Sequence, residues 1–372
     1  MTPFYFIAYS FLRELDLKVF ILAFCCLQFA CADMQPGVDT NVAESANGSK
    51  AIVDDHSDWA GFIELPRQVR FVDATVEAGI GFVHTSGMSG RKYGVETIGS
   101  GAAFFDYDRD GWMDLYVVNG GDLPGYVSTN TPRNALYHNE GGRFVEIGKA
   151  QRVADVGYGM GVSAGDFDND GDADLFVANF GRNAFYRNEG ADEAWVFSDI
   201  TEDIGLGADQ SWSTGSSFVD FDLDGDVDLY VANYLDFEFA EEDMRLEGGL
   251  QRPRRHLAPT EYPGRRDFLF RNEDGERFAD VTEAAGLLNL QCRELGAVFF
   301  DYDRDGDADL FQGNDATPNF LFRNDNGRFV EVGLFAGVAY NEGGKPEGTM
   351  GVDVADIDGD GHLDLAMTNF QW

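Results

Sequence analysis

One acidic loop occurs five times in this chain, always as Asp-x-Asp-x-Asp-Gly-x-x-Asp followed by an apolar run. The copies begin at residues 106, 166, 220, 301 and 356, so successive copies lie 54 to 81 residues apart. Self-similarity at a period of this size is the signature of a repeat architecture, in which each unit buries its apolar face against its neighbours. The repeat therefore constrains the fold more than any other feature of the sequence.

The repeated loop has the chemistry of a site for a hard cation. Alternate residues of an extended segment point to the same side, so the carboxylates at positions 1, 3 and 5 converge. Glycine at position 6 permits a positive-φ turn that returns the position-9 carboxylate, and the position-7 carbonyl adds an oxygen. Ca²⁺ accepts six to eight oxygens at about 2.3–2.6 Å, whereas Mg²⁺ demands a strict octahedron. Zinc is disfavoured because the one imidazole within a loop, His362, stands at the carbonyl position.

The sequence predicts about five Ca²⁺ sites, which use side chains at positions 1, 3, 5 and 9 and the backbone at position 7. The alternative is a set of surface Asp-Gly turns that hold no ion. The predicted metal-site residues are Asp106, Asp108, Asp110, Trp112 and Asp114; Asp166, Asp168, Asp170, Asp172 and Asp174; Asp220, Asp222, Asp224, Asp226 and Asp228; Asp301, Asp303, Asp305, Asp307 and Asp309; and Asp356, Asp358, Asp360, His362 and Asp364.

An apolar run follows every loop, as in LYVVN at 115–119, LFVAN at 175–179 and LYVAN at 229–233. These runs are rich in β-branched and aromatic residues, which predicts buried strands rather than the exiting helix of an EF-hand. We therefore interpret each loop as the tip of a β-hairpin. The glutamate of an EF-hand loop is also missing, because position 12 holds Val117, Val177, Val231, Gln312 and Met367.

A second repeated segment lies between the loops and reads as an aromatic strand, an Asn/Gly turn and another aromatic strand. It occurs at 135–147, 184–206, 268–287 and 319–338. Together with the Gly-rich strand before each loop, it gives four short strands in about 55 residues, the size of a propeller blade. Small residues suit the crowded inner edge of such a blade. The predicted fold class is all-β, a β-propeller of four-stranded blades with calcium-binding hairpin loops.

The two ends of the repeat region bear on how the ring is arranged. Residues 70–80 align with residues 277–287, which form the outermost strand of a blade and its connector. The ring is therefore expected to start with the last strand of a blade, which would hide both sheet edges. The sequence ends soon after the strand at 365–370. Either the ring closes with five imperfect blades or the sequence is a piece of a larger ring; we expect the second, with about five blades of that ring present.

These loops resemble the FG-GAP/VCBS repeats of the integrin α-subunit propeller, and the fuller cassette is similar to the cartilage acidic protein (ASPIC/UnbV) family. The matching stretches are 71–111, 158–181, 212–237 and 313–329. The resemblance implies a seven-bladed propeller followed by a small C-terminal domain. It also implies bound Ca²⁺ and an extracellular adhesive or scaffolding role. This sequence departs from the family pattern by ending before the later blades.

The residues before the repeats differ in character from the rest. Lys18, the apolar run 19–27 and the small residues Ala30-Cys31-Ala32 predict a secretory signal peptide over 1–32, and the apolar run is too short to span a bilayer. Residues 33–66 have the composition of a flexible linker, and 67–372 form the predicted propeller. The protein is thus expected to be extracellular or periplasmic. Lipoprotein anchoring at Cys31 is a weaker alternative.

The formal net charge of −39 bears on the choice of partner. A nucleic-acid partner is disfavoured, because no basic groove is visible that would neutralise phosphates. The most basic stretch, 252–256 with Arg265 and Arg266, lies in an insertion at 235–266 and reads as a solvated loop or a contact for an acidic partner. We expect an extracellular protein or glycan as the partner; the sequence does not fix the oligomeric state.

An adhesion or ligand-binding module accounts for most of the repeated residues, so no catalytic residues are predicted. The alternative is a propeller hydrolase or lyase with a site in the central funnel, for which the non-repeating His84, Lys92 and Glu96 are the best candidates. His138, which replaces the Arg of a repeated Arg-Asn pair, is interpreted as a surface residue. Cys292, alone after the leader, is interpreted as a small buried hydrophobe.

Overall fold

The computed structural model describes residues 71–239, 246–247, 250–251, 258–288 and 292–370, and their regular secondary structure is almost wholly antiparallel β-strand. The predicted signal peptide and linker lie outside these residues. Four sheets of four strands follow one another along the chain, and a two-stranded sheet comes last. We call these sheets blades 1 to 5.

The strand bounds follow the repeat closely. They are β1 Ala102–Phe105, β2 Asp114–Val117, β3 Ala135–Asn139 and β4 Phe144–Glu146 in blade 1; β5 Tyr158–Gly165, β6 Asp174–Phe180, β7 Ala184–Asn188 and β8 Phe197–Asp199 in blade 2; β9 Ser213–Val219, β10 Asp228–Asn233, β13 Phe268–Glu273 and β14 Arg277–Asp280 in blade 3; β15 Glu294–Phe300, β16 Asp309–Asn314, β17 Phe320–Asn324 and β18 Phe329–Glu331 in blade 4; and β19 Gly348–Ala355 and β20 Asp364–Phe370 in blade 5. A small hairpin, β11 Leu246–Glu247 and β12 Leu250–Gln251, lies in the insertion between β10 and β13.

Helical structure is confined to single turns in the part of the chain that the structure describes. These are α1 (Thr282–Ala285), α2 (Gly333–Ala336) and the 3-10 turns Gly94–Thr97, Ala191–Glu193 and Pro259–Glu261. Among the described residues, none of these helices has the length and apolar character that a bilayer crossing requires.

The second strand of each complete blade is buried along all or nearly all of its length, as in β2, β6, β10 and β16. These strands are nearly continuous apolar runs because a neighbouring sheet or connector covers each face. Rings from adjacent blades meet there; for example, the ring centroids of Phe167 and Phe278 lie 4.9 Å apart. The abundant phenylalanines thus serve as packing between blades.

The first strands of successive blades pack side by side, with β1 against β5, β5 against β9, β9 against β15 and β15 against β19. The approach is close enough that a Cβ added at Gly161 would stand 2.8 Å from the Thr214 carbonyl oxygen. Glycine is therefore required where these inner strands converge. Radial packing of this kind is that of propeller blades, and the predicted fold class is confirmed.

The connector after the outer strand of each blade docks on the outer strand of the next. The Phe197 amide donates to the Gln151 carbonyl at 2.9 Å, and the Phe278 amide donates to the Ile204 carbonyl at 2.9 Å. Residues 71–80 make the equivalent contact with blade 1, where the Phe144 amide donates to the Ala78 carbonyl at 2.8 Å. The N-terminal segment thus sits where the connector of a preceding blade would lie, whereas its expected role as the last strand of the final blade stays a prediction.

The junction between blades 3 and 4 explains why position 12 of the fourth loop holds Gln312. Its amide nitrogen donates to Asp267 Oδ2 at 3.1 Å and to Tyr230 Oη at 2.5 Å. The Tyr230 hydroxyl in turn donates to Glu294. Burial raises the pKa of Asp267 to about 6, and burial together with the Asp267 charge raises the pKa of Glu294. Cys292, which is fully buried and whose thiol lies 4.0 Å from Gln312 Oε1, completes this cluster.

Candidate metal centres

Each acidic loop joins the first two strands of its blade, so all five loops are hairpin tips at equivalent places in the sheets. The predicted positive φ at the position-6 glycine is present in every loop, with Gly111 at 88° and Gly306 at 98°. A second positive φ occurs at position 4, which the sequence did not indicate because this position is mostly not glycine. The residues there are Arg109, Asn169, Leu223, Arg304 and Gly359, with φ between 56° and 76°.

Backbone amides hold the carboxylates at positions 1 and 5 in place. In the first loop the Gly111 amide donates to Asp106 Oδ2 at 2.9 Å, and the Trp112 amide donates to Asp110 Oδ1 at 2.8 Å. Both bonds recur at the equivalent positions of the other four loops. The carboxylates are therefore oriented by the fold, before any ion is bound.

The carboxylate at position 9 is the most buried member of each loop in blades 1 to 4. Asp174 is 1% exposed, and it accepts the Phe167 amide at 2.9 Å and the Asn188 amide at 2.8 Å. Burial raises the pKa of Asp114 to about 6, of Asp174 to about 8 and of Asp228 to about 7. A bound cation would offset this cost of holding a carboxylate out of water.

Carboxylate oxygens converge within the loops. One oxygen from each member lies within 4.8 Å of the others in the clusters Asp106, Asp108 and Asp110; Asp166, Asp168 and Asp170; Asp220, Asp222 and Asp228; and Asp301, Asp303 and Asp309. Moreover, the Oδ1 atoms of Asp166, Asp168 and Asp222 are buried without a hydrogen-bond partner. Buried oxygens of this kind are those that a hard cation would take as ligands, so the residues fit Ca²⁺.

The side chains at position 7 turn away from these clusters. Asp172 Oδ1 lies 2.9 Å from Arg109 Nε of the preceding loop, and Asp226 Oδ1 accepts Asn169 Nδ2 at 2.7 Å. The Trp112 side chain is 50% exposed. This arrangement is compatible with the prediction that position 7 contributes its backbone alone.

The fifth loop repeats the amide pattern in a more open setting. The Gly361 amide donates to Asp356 Oδ2 at 2.9 Å, and the Ile357 amide donates to Asp364 Oδ2 at 2.9 Å. However, Asp356, Asp358 and Asp360 are exposed and Asp364 is half-buried. Its carboxylates are therefore better solvated than those of the other four loops.

An asparagine in the third strand connects neighbouring loops, which the sequence reasoning missed. The Asn272 amide donates to Asp228 Oδ1 of its own blade at 2.8 Å, while its Nδ2 donates to the Phe167 carbonyl of the preceding loop at 2.7 Å. Asn188 and Asn324 make the same pair of bonds. The signal was present as the asparagine of the repeated Arg-Asn pair, but its role depends on the stacking of two blades.

His138 corrects one interpretation made from the sequence. Its Nδ1 lies 3.2 Å from Asp114 Oδ1 and 3.5 Å from Asp108 Oδ2, so it belongs to the first loop rather than to open surface. The surface interpretation was wrong because the third strand runs directly beside the loop. The arginine of the fourth blade approaches its loop less closely, with Arg323 Nε 3.9 Å from Asp303 Oδ2.

The residues considered for catalysis take part in local structure. Glu96 is buried, and its Oε1 accepts the Ser89 hydroxyl at 3.2 Å and the Tyr93 amide at 3.3 Å, which caps a 3-10 turn. The Gly120 amide donates to His84 Nε2 at 3.3 Å, and burial lowers the pKa of His84. Lys92 is exposed and has a positive φ of 58°.

Comparison with known proteins agrees with this geometry. The family model of the FG-GAP-like repeat matches residues 106–177, 166–231 and 301–367, which is about half of the chain and includes all five acidic loops. The chain belongs to the FG-GAP-like repeat family. Each FG-GAP-like match joins one acidic loop to the loop that follows it.

Two curated relatives of this FG-GAP-like protein are named cartilage acidic protein 1. The Xenopus tropicalis protein is 26% identical over 329 residues, which covers 73% of this chain and 48% of that protein. The human protein is 22% identical over 284 residues, which covers 73% of this chain and 38% of that protein. The chain thus spans about half or less of the length of these relatives.

Two solved structures are also similar. An Agrocybe aegerita lectin that recognises non-reducing terminal N-acetylglucosamine has a TM-score of 0.32 and 15% identity, and the match covers 61% of this chain and 49% of the lectin. The Vibrio cholerae biofilm matrix protein Bap1 has a TM-score of 0.36 and 13% identity, and the match covers 73% of this chain and 35% of Bap1.

Proposed function

We propose that this protein is a secreted β-propeller that binds Ca²⁺ in its hairpin loops and presents one of its faces to an extracellular protein or glycan. The observation that carries the proposal is the convergence of carboxylate oxygens in one repeated geometry, some of them buried and without a hydrogen-bond partner. Backbone amides hold the carboxylates at positions 1 and 5 of each loop, while the Oδ1 atoms of Asp166, Asp168 and Asp222 have no hydrogen-bond partner and are available for a cation.

Calcium is proposed rather than zinc or magnesium because of the ligand chemistry. The clusters of blades 2 to 4 are formed by carboxylates alone, and a flexible set of oxygens suits an ion with six to eight ligands. Zinc prefers nitrogen and sulfur, while magnesium keeps several of its waters. In the first loop, Asp108 and Asp114 also converge with the imidazole of His138.

The charge balance supports a structural role for the ions. With 66 acidic and 27 basic residues the formal charge is −39, and five Ca²⁺ ions would reduce it to −29. Without them the loops would repel one another, because like charges lie close together on neighbouring hairpins. The same charge makes nucleic acid an unfavourable partner.

Secretion is part of the proposal and rests on the leader-like residues 1–32. The proposal of an extracellular protein or glycan as the partner is supported by the family to which the chain belongs. Because Glu96 and His84 are engaged in local hydrogen bonds, we propose a binding role rather than a catalytic one. Turnover of a polysaccharide that is abolished by Glu96→Ala in a folded variant would support the enzyme instead.

The test of the metal proposal is a calorimetric titration of the chelator-treated full chain with Ca²⁺. We expect a saturable heat with several sites per chain, and a weaker response to Mg²⁺. The double variant Asp166→Asn/Asp168→Asn should lose one site, whereas Asn130→Ala, a substitution at an exposed residue outside the acidic loops, should lose none. Absence of any binding heat would overturn the proposal.

A further inference from the structure

A pocket at the rim of blade 1 is lined by cations in a chain that is otherwise strongly acidic. Arg133, Lys149, Arg152 and Ala154 surround an open volume of about 400 Å³. The Arg133 guanidinium donates to the Ala154 carbonyl at 3.3 Å, which fixes it at the pocket wall. Within the part of the chain that the structure describes, these three cations form no ion pair with a carboxylate, whereas other arginines do.

The equivalent pocket in blade 3 is lined by residues of both charges and serves as the comparison for blade 1. It has a similar volume of about 460 Å³, and it is lined by Arg266, Asp280, Glu283 and Ala284. Arg266 occupies the position of Arg133, and its guanidinium lies 2.5 Å from Asp280 Oδ2. In blade 2 the corresponding Arg182 contacts Asp199 at 3.2 Å and Glu202 at 3.4 Å. In both blades, carboxylates of the same chain neutralise the arginine.

In blade 1 a lysine replaces the glutamate that lies near the arginine in blades 2 and 3. The alignment of the outer strands on Phe144, Phe197 and Phe278 places Lys149 where blades 2 and 3 have Glu202 and Glu283. A carboxylate that neutralises the arginine is therefore replaced by a second cation. The same alignment places Glu146 at the position of Asp280, but Glu146 is not among the residues that line the blade 1 pocket.

Arg152 departs from the other repeats more strongly than Lys149 does, because the equivalent residue in each of the other repeats is glycine. Its φ is 62°, and the equivalent residues Gly79, Gly205, Gly286 and Gly337 have φ between 82° and 92°. An arginine in the left-handed region is conformationally unfavourable, whereas glycine adopts it freely. The repeat thus retains an unfavourable residue in blade 1 alone among the equivalent described positions, and that residue adds the third cation to the pocket.

We infer that this pocket binds the sulfate group of an extracellular saccharide. Two guanidinium forks and one ammonium can donate to the three free oxygens of a sulfate ester, and hydrogen bonds between charged groups are the strong ones. A single anionic group is favoured over a long polyanion, because the net charge of −39 opposes a ligand that extends over the surface. No aromatic or large apolar side chain lines the pocket, which favours a saccharide over a sulfated tyrosine.

This inference rests on the proposed binding role and names a ligand class for it, at a site separate from the calcium loops. The test is a titration of the full chain in saturating Ca²⁺ with N-acetylglucosamine 6-sulfate. Unsulfated N-acetylglucosamine, sodium sulfate and a sulfotyrosine peptide are compared at matched ionic strength. We expect saturable binding of the sulfated sugar, at least about tenfold tighter than sodium sulfate, and none of the unsulfated sugar.

Two variants restore the residues of the other blades. Lys149→Glu and Arg152→Gly should each weaken the binding of the sulfated sugar at least about tenfold, because each removes a charged donor. Arg152→Gly should leave the melting temperature unchanged or raise it, since glycine suits this backbone conformation. The matched control is Lys345→Glu, which makes the same charge change at an exposed site outside the pocket and should alter binding less than about twofold.

Three results would overturn the inference. The first is no saturable binding of the sulfated sugar. The second is equal weakening by Lys345→Glu and Lys149→Glu, which would show a general charge effect. The third is binding of sodium sulfate or the sulfotyrosine peptide at least as tight as that of the sugar. Because a calcium-dependent melting temperature is recorded on the same samples, failure of the pocket is distinguishable from failure of the calcium-binding role.

Discussion

Removal of calcium is expected to destabilise the propeller severely. At millimolar Ca²⁺ and a dissociation constant of about 0.1 mM, each site stabilises the folded state by about 1.5 kcal/mol. Four loops have a position-9 carboxylate that is at most 1% exposed, and the more open fifth loop should contribute less. Four such sites give about 6 kcal/mol, which is comparable with the whole stability of many domains.

The expected shift follows from the size of the folded region. A loss of 1 kcal/mol lowers the melting temperature of a domain above 150 residues by about 2–4 °C, so full chelation should lower it by more than about 10 °C. The assay is differential scanning calorimetry of the full chain in EDTA, in EDTA followed by excess Ca²⁺, and in EDTA followed by excess Mg²⁺. Calcium should restore the melting temperature, and magnesium should restore much less of it.

Equal melting temperatures in EDTA and in calcium would refute this reasoning. They would mean that the raised pKa values of Asp174 and Asp228 reflect carboxyls that are simply protonated, and that the hairpins need no ion. Equal rescue by sodium chloride at the same ionic strength would also refute it, because screening would then suffice. The fifth loop offers an internal comparison, since Asp364→Asn should lower the melting temperature less than Asp174→Asn.

Three further outcomes are expected. Asp228→Asn should remove one Ca²⁺ from the calorimetric stoichiometry, whereas Asp226→Asn, whose side chain bonds to Asn169, should remove none. Asn272→Ala should lower the free energy of unfolding in urea by about 2–3 kcal/mol, because it leaves the Phe167 carbonyl without its bond from the next blade. Burial raises the folded-state pKa of Asp267 to about 6, so the stability that its proton contributes is complete below about pH 4 and is lost as pH rises through 6. In saturating calcium, Asp267→Asn should therefore flatten the fall in urea stability between about pH 4 and 6.

Each of these outcomes has a result that would count against it. Loss of a calcium ion in Asp226→Asn would place the position-7 side chain among the ligands. An Asn272→Ala variant as stable as the wild type would mean that water replaces the bond between the loops; Asn130→Ala, at an exposed residue, serves as its control. An unchanged pH profile in Asp267→Asn would assign the titration to another group, the first candidate being Glu294.

The acidic loops, the buried strands that follow them and the four-strand blades could be predicted from the sequence alone, because short-range patterns of residues determine them. Alternate carboxylates with a glycine at position 6 define the loop, and the apolar run after Asp114 or Asp174 defines the buried strand that follows. The four-strand blade follows from the spacing of such runs. These features depend on neighbours in the chain, so they could be predicted without knowledge of the packing.

Tertiary structure alone decided the contacts between blades. The bond from Asn272 to the Phe167 carbonyl joins residues 105 positions apart, and Gln312 meets Tyr230 across 82 positions. His138 enters the first loop because strand β3 lies beside that loop. The unfavourable backbone conformation of Arg152 is likewise visible only when its φ is compared with that of the equivalent glycines. Residues distant in the chain meet through radial stacking of the sheets, and no local pattern in the sequence encodes which side chains that stacking brings together.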